Sequence, residues 1–154
     1  FEIEPIVISA ILALNLKKPV KTIFTREDEF LLSHPRSLAV QKISAKSTEG
    51  GKLFGLKHEI SCGWIAFSDF GLVNPIENGK PNSALPDVQL FSATGSDNWY
   101  DIPNQTIKLH RNKKIEAMTG NGAVRSVANN YTVFALESFI DEFASLKKID
   151  PVDL

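Results

Sequence analysis

The run from Ile6 to Leu16 restricts what this chain can fold into more than any other feature. It is apolar on nearly every side of a helix, with Ser9 the polar break inside Ile6–Leu14. Pro5 suits a first helical position, where its missing N–H costs nothing, and Glu4 suits the positive end of the helix dipole. Lys17-Lys18-Pro19 closes the helix with cations and a proline that cannot continue it. The run has roughly half the ~20 residues that a membrane span needs. It follows Glu2 and Glu4, where a signal peptide would carry basic residues. The expectation is therefore a buried N-terminal helix.

The remaining pattern predicts an α+β fold of mixed strands, with a β-hairpin and a packed C-terminal helix. Val20–Phe24 reads as a short β-branched strand, so that helix and strand would form half of a βαβ unit. Thr25 with Asp28 three residues later makes a capping box for a short helix through Leu32. Leu38–Ser47 and Lys52–Cys62 are strand candidates joined by Thr48-Glu49-Gly50-Gly51, turn residues typical of a hairpin. Gly63–Trp99 mixes Pro, Gly and Asn with Trp64, Phe67, Phe70 and Phe91, which predicts a long ordered excursion. A strand follows from Thr106 to about Arg111. Tyr131–Leu146 repeats Phe134, Leu136, Phe139, Ile140, Phe143 and Leu146 at helical spacing, with Asn129 or Asn130 as its cap.

Composition excludes several functions. The net charge of −1 gives no electrostatic case for nucleic acid or an anionic membrane. One cysteine, Cys62, allows no internal disulfide, and the three histidines are widely spaced. Any metal would have to arrive inside a cofactor. Phe1 and Leu154 read as cuts through a longer polypeptide.

The stretch from Thr119 through Gly120, Asn121, Gly122, Ala123, Val124, Arg125, Ser126, Val127 and Ala128 to Asn130 is the strongest chemical candidate. Glycines let a ligand approach the backbone, small residues leave N–H groups uncovered, and the next helix adds a positive dipole end. Arg125 offers a forked cation suited to an oxyanion. The alternative is a simple turn into the helix with Arg125 solvated. Ser33-His34-Pro35-Arg36 is a second candidate for orienting a substrate, with a surface turn as its alternative. Cys62 reads as a buried small hydrophobe, the Thr25–Glu29 run as a helix cap, and Trp99 and Tyr100 as packing aromatics.

Three stretches, in order and at matching spacing, resemble the large subunit of the xanthine dehydrogenase and aldehyde oxidase family. Lys18-Pro19-Val20 through Thr25-Arg26-Glu27-Asp28-Glu29-Phe30 is similar to its RPV…(T/D)RE(E/D)D segment. Tyr100-Asp101-Ile102-Pro103-Asn104 is similar to its Y.IPN signature. Gly122–Arg125 through Ala135-Leu136-Glu137-Ser138-Phe139 to Asp150-Pro151-Val152 is the third. Arg-Ser-Val after the glycine loop most resembles the isoquinoline 1-oxidoreductase beta-subunit branch.

The resemblance implies a single partial segment, residues 1–154, of a molybdenum-cofactor-binding domain. The full-length subunit would carry molybdopterin and oxidise an aldehyde or N-heterocycle, a small-molecule substrate, with water-derived oxygen. Its electrons would pass to an iron–sulfur small subunit. Gly122, Ala123, Val124 and Arg125 match the loop whose amides face the molybdenum centre. Arg36 and Val127 match substrate-contacting positions, though valine cannot stack on a purine. The family's upstream glycine loop and its downstream catalytic glutamate have no match within 1–154. This segment alone is therefore expected to be inactive and to bind no cofactor tightly. A non-catalytic docking module and a degenerate paralogue are the alternatives.

Overall fold

The structure, a computed structural model, describes residues 4–65, 76–77, 80–81, 90–119 and 121–154. It opens with α1 (Glu4–Leu16) and a short α2 (Arg26–Leu32). Thr25 caps α2 as the sequence predicts: its hydroxyl accepts from the Asp28 N–H, and the Asp28 carboxylate accepts from the Thr25 N–H at 3.0 Å. That bond holds the Asp28 carboxyl below its ordinary value.

The buried N-terminal helix is corrected by the structure. Ile6 is 70% exposed and Leu14 78% exposed. A helix apolar on every side needs a neighbour on every side. A hydrogen bond between the Ser9 and Thr22 hydroxyls, at 2.7 Å, ties its middle to the chain beyond it. The expected strand at Val20–Phe24 is also absent. The residues between α1 and α2 join no ladder, because no described strand lies beside them to accept their hydrogen bonds.

The hairpin forms as expected. β1 (Ala39–Ser47) and β2 (Leu53–Cys62) pair antiparallel, with Ile43 opposite His58. Gly51 closes the turn at φ 89°, a conformation that costs a side-chain-bearing residue energy. β1 alternates half-buried with exposed residues, which leaves one sheet face for the core. The Gly63–Trp99 excursion lies largely outside the described residues. Within it, β3 (Ile76–Glu77) and β4 (Lys80–Pro81) pair antiparallel, and Leu90–Ala93 forms a 3₁₀ turn. β5 (Asn104–Arg111) then lies parallel to β2 on the side away from β1, giving the sheet order β1-β2-β5. α3 (Lys113–Thr119) follows, and α4 (Asn129–Lys147) ends the core.

α4 buries Thr132, Leu136, Ile140 and Ala144, a spacing of four that keeps one stripe against the sheet. Leu136 and Ile140 pack with Leu53, Leu56 and Ile102, while Ile60, Cys62 and Ala93 form a second cluster. Each such aliphatic side chain contributes about 1.5–3 kcal/mol on burial. Leu136→Ala would cost about 2–5 kcal/mol and loosen the helix that carries the loop described next. The helix cap differs from expectation. Ala128, not Asn129 or Asn130, stands at the N-cap and makes no side-chain capping bond.

Candidate functional site

The loop from Asn121 to Ala128 joins α3 to α4, and both ends are held firmly. At its start, Glu116 on α3 receives a two-pronged bond from Arg111, Nε to Oε1 at 2.9 Å and Nη2 to Oε2 at 3.0 Å. Glu116 Oε1 also accepts from the Trp64 N–H at 2.9 Å, and the Arg111 guanidinium lies 4.8 Å from the Trp64 ring centre. At its end, the first turn of α4 is bonded to its surroundings. Gln41 donates to the Tyr131 carbonyl at 2.6 Å, and Tyr131 Oη donates to the Ser92 carbonyl at 2.7 Å. Thr132 Oγ1 lies 2.6 Å from the Thr94 carbonyl. Burial raises the Tyr131 phenol above its ordinary value and pushes the Cys62 thiol up as well, so both stay protonated. Cys62 is the buried small residue that the sequence predicts.

The two candidate stretches meet. The Gly122 N–H donates to the Pro35 carbonyl at 2.7 Å, and Arg36 Nη2 donates to the Arg125 carbonyl at 2.9 Å, across 89 residues of sequence. A side chain on Gly122 would collide with the His34 carbonyl, so glycine is needed there for close approach. Ser37 fixes the base of the second stretch, its buried Oγ accepting from the Gly63 N–H at 2.9 Å.

The exposed side of the loop is rich in donors. Among the described residues, the backbone N–H groups of Val124, Arg125 and Ser126 have no hydrogen-bond acceptor. Consecutive free amides of this kind make a concave site for an anion. Val124 and Arg125 are exposed, Ala123 and Val127 half-buried, and Gly122 buried. No carboxylate occurs from Thr119 to Asn130, so nothing in that stretch repels negative charge. Arg36 is half-buried, with a buried Nε that has no partner among the described residues.

Sequence reasoning missed two features here. Ser126 and Val127 adopt φ of 71° and 44°, the left-handed region, which costs a β-branched residue most. No sequence signal marks them, because neither is glycine or asparagine. α3 was detectable, since Asn112 caps it by accepting from the N–H groups of Lys114 and Ile115. Trp99 does not pack. It stands fully exposed on the rim of a cleft of about 630 Å³ that Asp97, Val133 and Glu137 also line.

The chain belongs to the family of molybdopterin cofactor-binding domains, whose model matches residues 2–154. It is similar to the membrane-bound aldehyde dehydrogenase (pyrroloquinoline-quinone) of Gluconacetobacter polyoxogenes, with 29% identity over 140 residues. That stretch is 87% of this chain and 17% of the relative, so the chain spans a minor part of that protein's length.

The residues present fit an anionic, phosphate-bearing cofactor on three observations. These are the free amides of Val124–Ser126, the close approach that a Cβ at Gly122 would block, and the orphaned buried donor at Arg36 Nε. Among the described residues no group of His, Cys, Asp and Glu could hold a metal directly, and no helix is long and apolar enough to cross a membrane.

Proposed function

We propose that this chain forms part of the cofactor-binding face of a molybdenum hydroxylase subunit, with Gly122, Ala123, Val124 and Arg125 holding the cofactor. The observation that carries this reading is the junction of the Gly122–Arg125 loop with Pro35 and Arg36, which leaves three amides directed at no protein acceptor. Backbone donors are fixed in place before the ligand arrives, so binding costs little reorganisation. The exposed Arg125 guanidinium adds a cation suited to phosphate. The bound cofactor supplies two-electron redox chemistry at its molybdenum.

The substrate side lies at Val127, half-buried where the loop enters α4. A valine offers no ring face, which favours an aldehyde over a purine. The similar protein of Gluconacetobacter polyoxogenes is an aldehyde dehydrogenase, which supports the same class. A general base must sit within hydrogen-bond reach of the proton it takes. The loop has no carboxylate, so the base comes from another part of the full-length protein. The electrons leave to an iron–sulfur subunit. The Arg125-Ser126-Val127 sequence resembles the isoquinoline 1-oxidoreductase beta-subunit branch of the family.

One observation favours a docking role as well. Ile6, Leu14, Phe30 and Leu31 are all strongly exposed, an apolar surface that further polypeptide would cover.

The relative's name carries a quinone where the family carries molybdopterin, so cofactor identity is the test. Full-length protein purified from its host is analysed for molybdenum by elemental mass spectrometry and for bound quinone by redox-cycling stain. Molybdenum without quinone supports the proposal. Quinone without molybdenum, or neither in a folded protein, overturns it.

A further inference from the structure

We infer that Arg36 is a positioning residue for the cofactor loop, acting through the Arg125 carbonyl and not by contact with substrate. The inference rests on the reading of that loop as the cofactor site.

The argument begins with one peptide plane. The Arg125 carbonyl and the Ser126 N–H belong to the same planar unit, and no peptide bond among the described residues is cis. In a trans peptide the two point in opposite directions. Arg36 Nη2 holds the carbonyl at 2.9 Å, so the Ser126 N–H is turned away from the His34–Arg36 stretch and outward. Arg36 thus sets the direction of a donor it never touches.

This hold is needed because the turn is strained. Ser126 and Val127 are consecutive left-handed residues without glycine's freedom. Such conformations persist only where the surroundings over-determine them. Two local bonds, Val127 N–H to the Val124 carbonyl at 2.7 Å and Asn129 N–H to the Ser126 carbonyl at 2.9 Å, lie within the turn itself. From a distant segment, Pro35 holds the loop at Gly122 and Arg36 holds it at Arg125. Arg36 can bear this load because its own backbone is short and stiff. Pro35 precedes it, and Ser37 behind it is buried against Gly63.

The test uses the full-length protein with Arg36→Met, which keeps an unbranched apolar stem and loses every donor, and Arg36→Lys, which keeps a cationic donor group. Amide hydrogen exchange is read over residues 121–128, alongside molybdenum content. The expected result is exchange at least tenfold faster in that segment alone for Arg36→Met, reduced molybdenum, and recovery of most of both in Arg36→Lys. If Arg36→Met does not fold, Arg36→Leu, also without a donor, replaces it, with the same local acceleration expected. Unchanged exchange over 121–128 in a folded variant overturns the positioning role while leaving the molybdenum reading intact. Fast exchange that Arg36→Lys fails to slow also overturns it. A wild type without molybdenum overturns the cofactor reading instead, and the exchange data then decide the Arg36–Arg125 hold separately.

Discussion

His58, buried at the centre of β2, lies with Nε2 2.7 Å from Gln41 Oε1 on β1. Gln41 uses its amide N–H on the Tyr131 carbonyl, so its oxygen must accept, and His58 carries its proton on Nε2. Nδ1 is buried without a partner among the described residues. Burial therefore holds the imidazole below its ordinary value and neutral in the fold. The unfolded chain takes up a proton below about pH 6.5 while the folded one does not. Stability from this site is constant above that pH and falls below it, by up to about 1.4 kcal/mol per pH unit. Thermal midpoints measured from pH 7.5 to 5 should fall, and His58→Gln should flatten the decline. An equal slope in the variant would assign the pH dependence elsewhere.

Gly122→Ala places a methyl group against the His34 carbonyl. Backbone on one side and a buried loop on the other leave nothing flexible to yield. The expected loss is about 1–3 kcal/mol, read by denaturant unfolding, together with loss of bound cofactor. A variant as stable as the wild type would mean that the two loops do not touch.

Ser126→Gly should do the reverse. Ser126 is exposed, and its φ of 71° suits glycine. Relief of about 1 kcal/mol, less the added entropy of the unfolded chain, gives a small net gain and a thermal midpoint higher by a degree or two. A clear loss of stability would show that the left-handed turn is not strained.

Much of this was legible in residues that act locally. Thr25 and Asp28 announce their capping box, and Thr48–Gly51 announces its hairpin, because each signal is complete within a few positions. The parallel pairing of β2 with β5 was not legible, since nothing in Asn104–Arg111 names its partner. α1 misled for a related reason. Its sequence demands burial on all sides, but burial depends on neighbours that the sequence of the helix does not contain. In the candidate site, both loops could be found singly. Their meeting at Arg36 and Arg125 depends on the sheet and α4 holding them together, which no pattern in either loop encodes.

Tyr100 gives a smaller test of the core's edge. Its hydroxyl donates to Glu137 Oε2 at 2.7 Å, and that carboxylate pushes the phenol up to about 12. Tyr100→Phe should lower stability by about 0.5–1.5 kcal/mol without altering cofactor content. A large fall in cofactor content would instead tie the α4 cleft to the loop.

The most direct measurement is the molybdenum-to-protein ratio of the full-length protein, wild type beside Arg125→Ala, with both shown to be folded by circular dichroism. Near-stoichiometric molybdenum in the wild type and a severalfold lower ratio in the variant is the predicted result. Equal ratios in the two proteins would contradict the role of the loop, and a folded wild type without molybdenum would contradict the whole account.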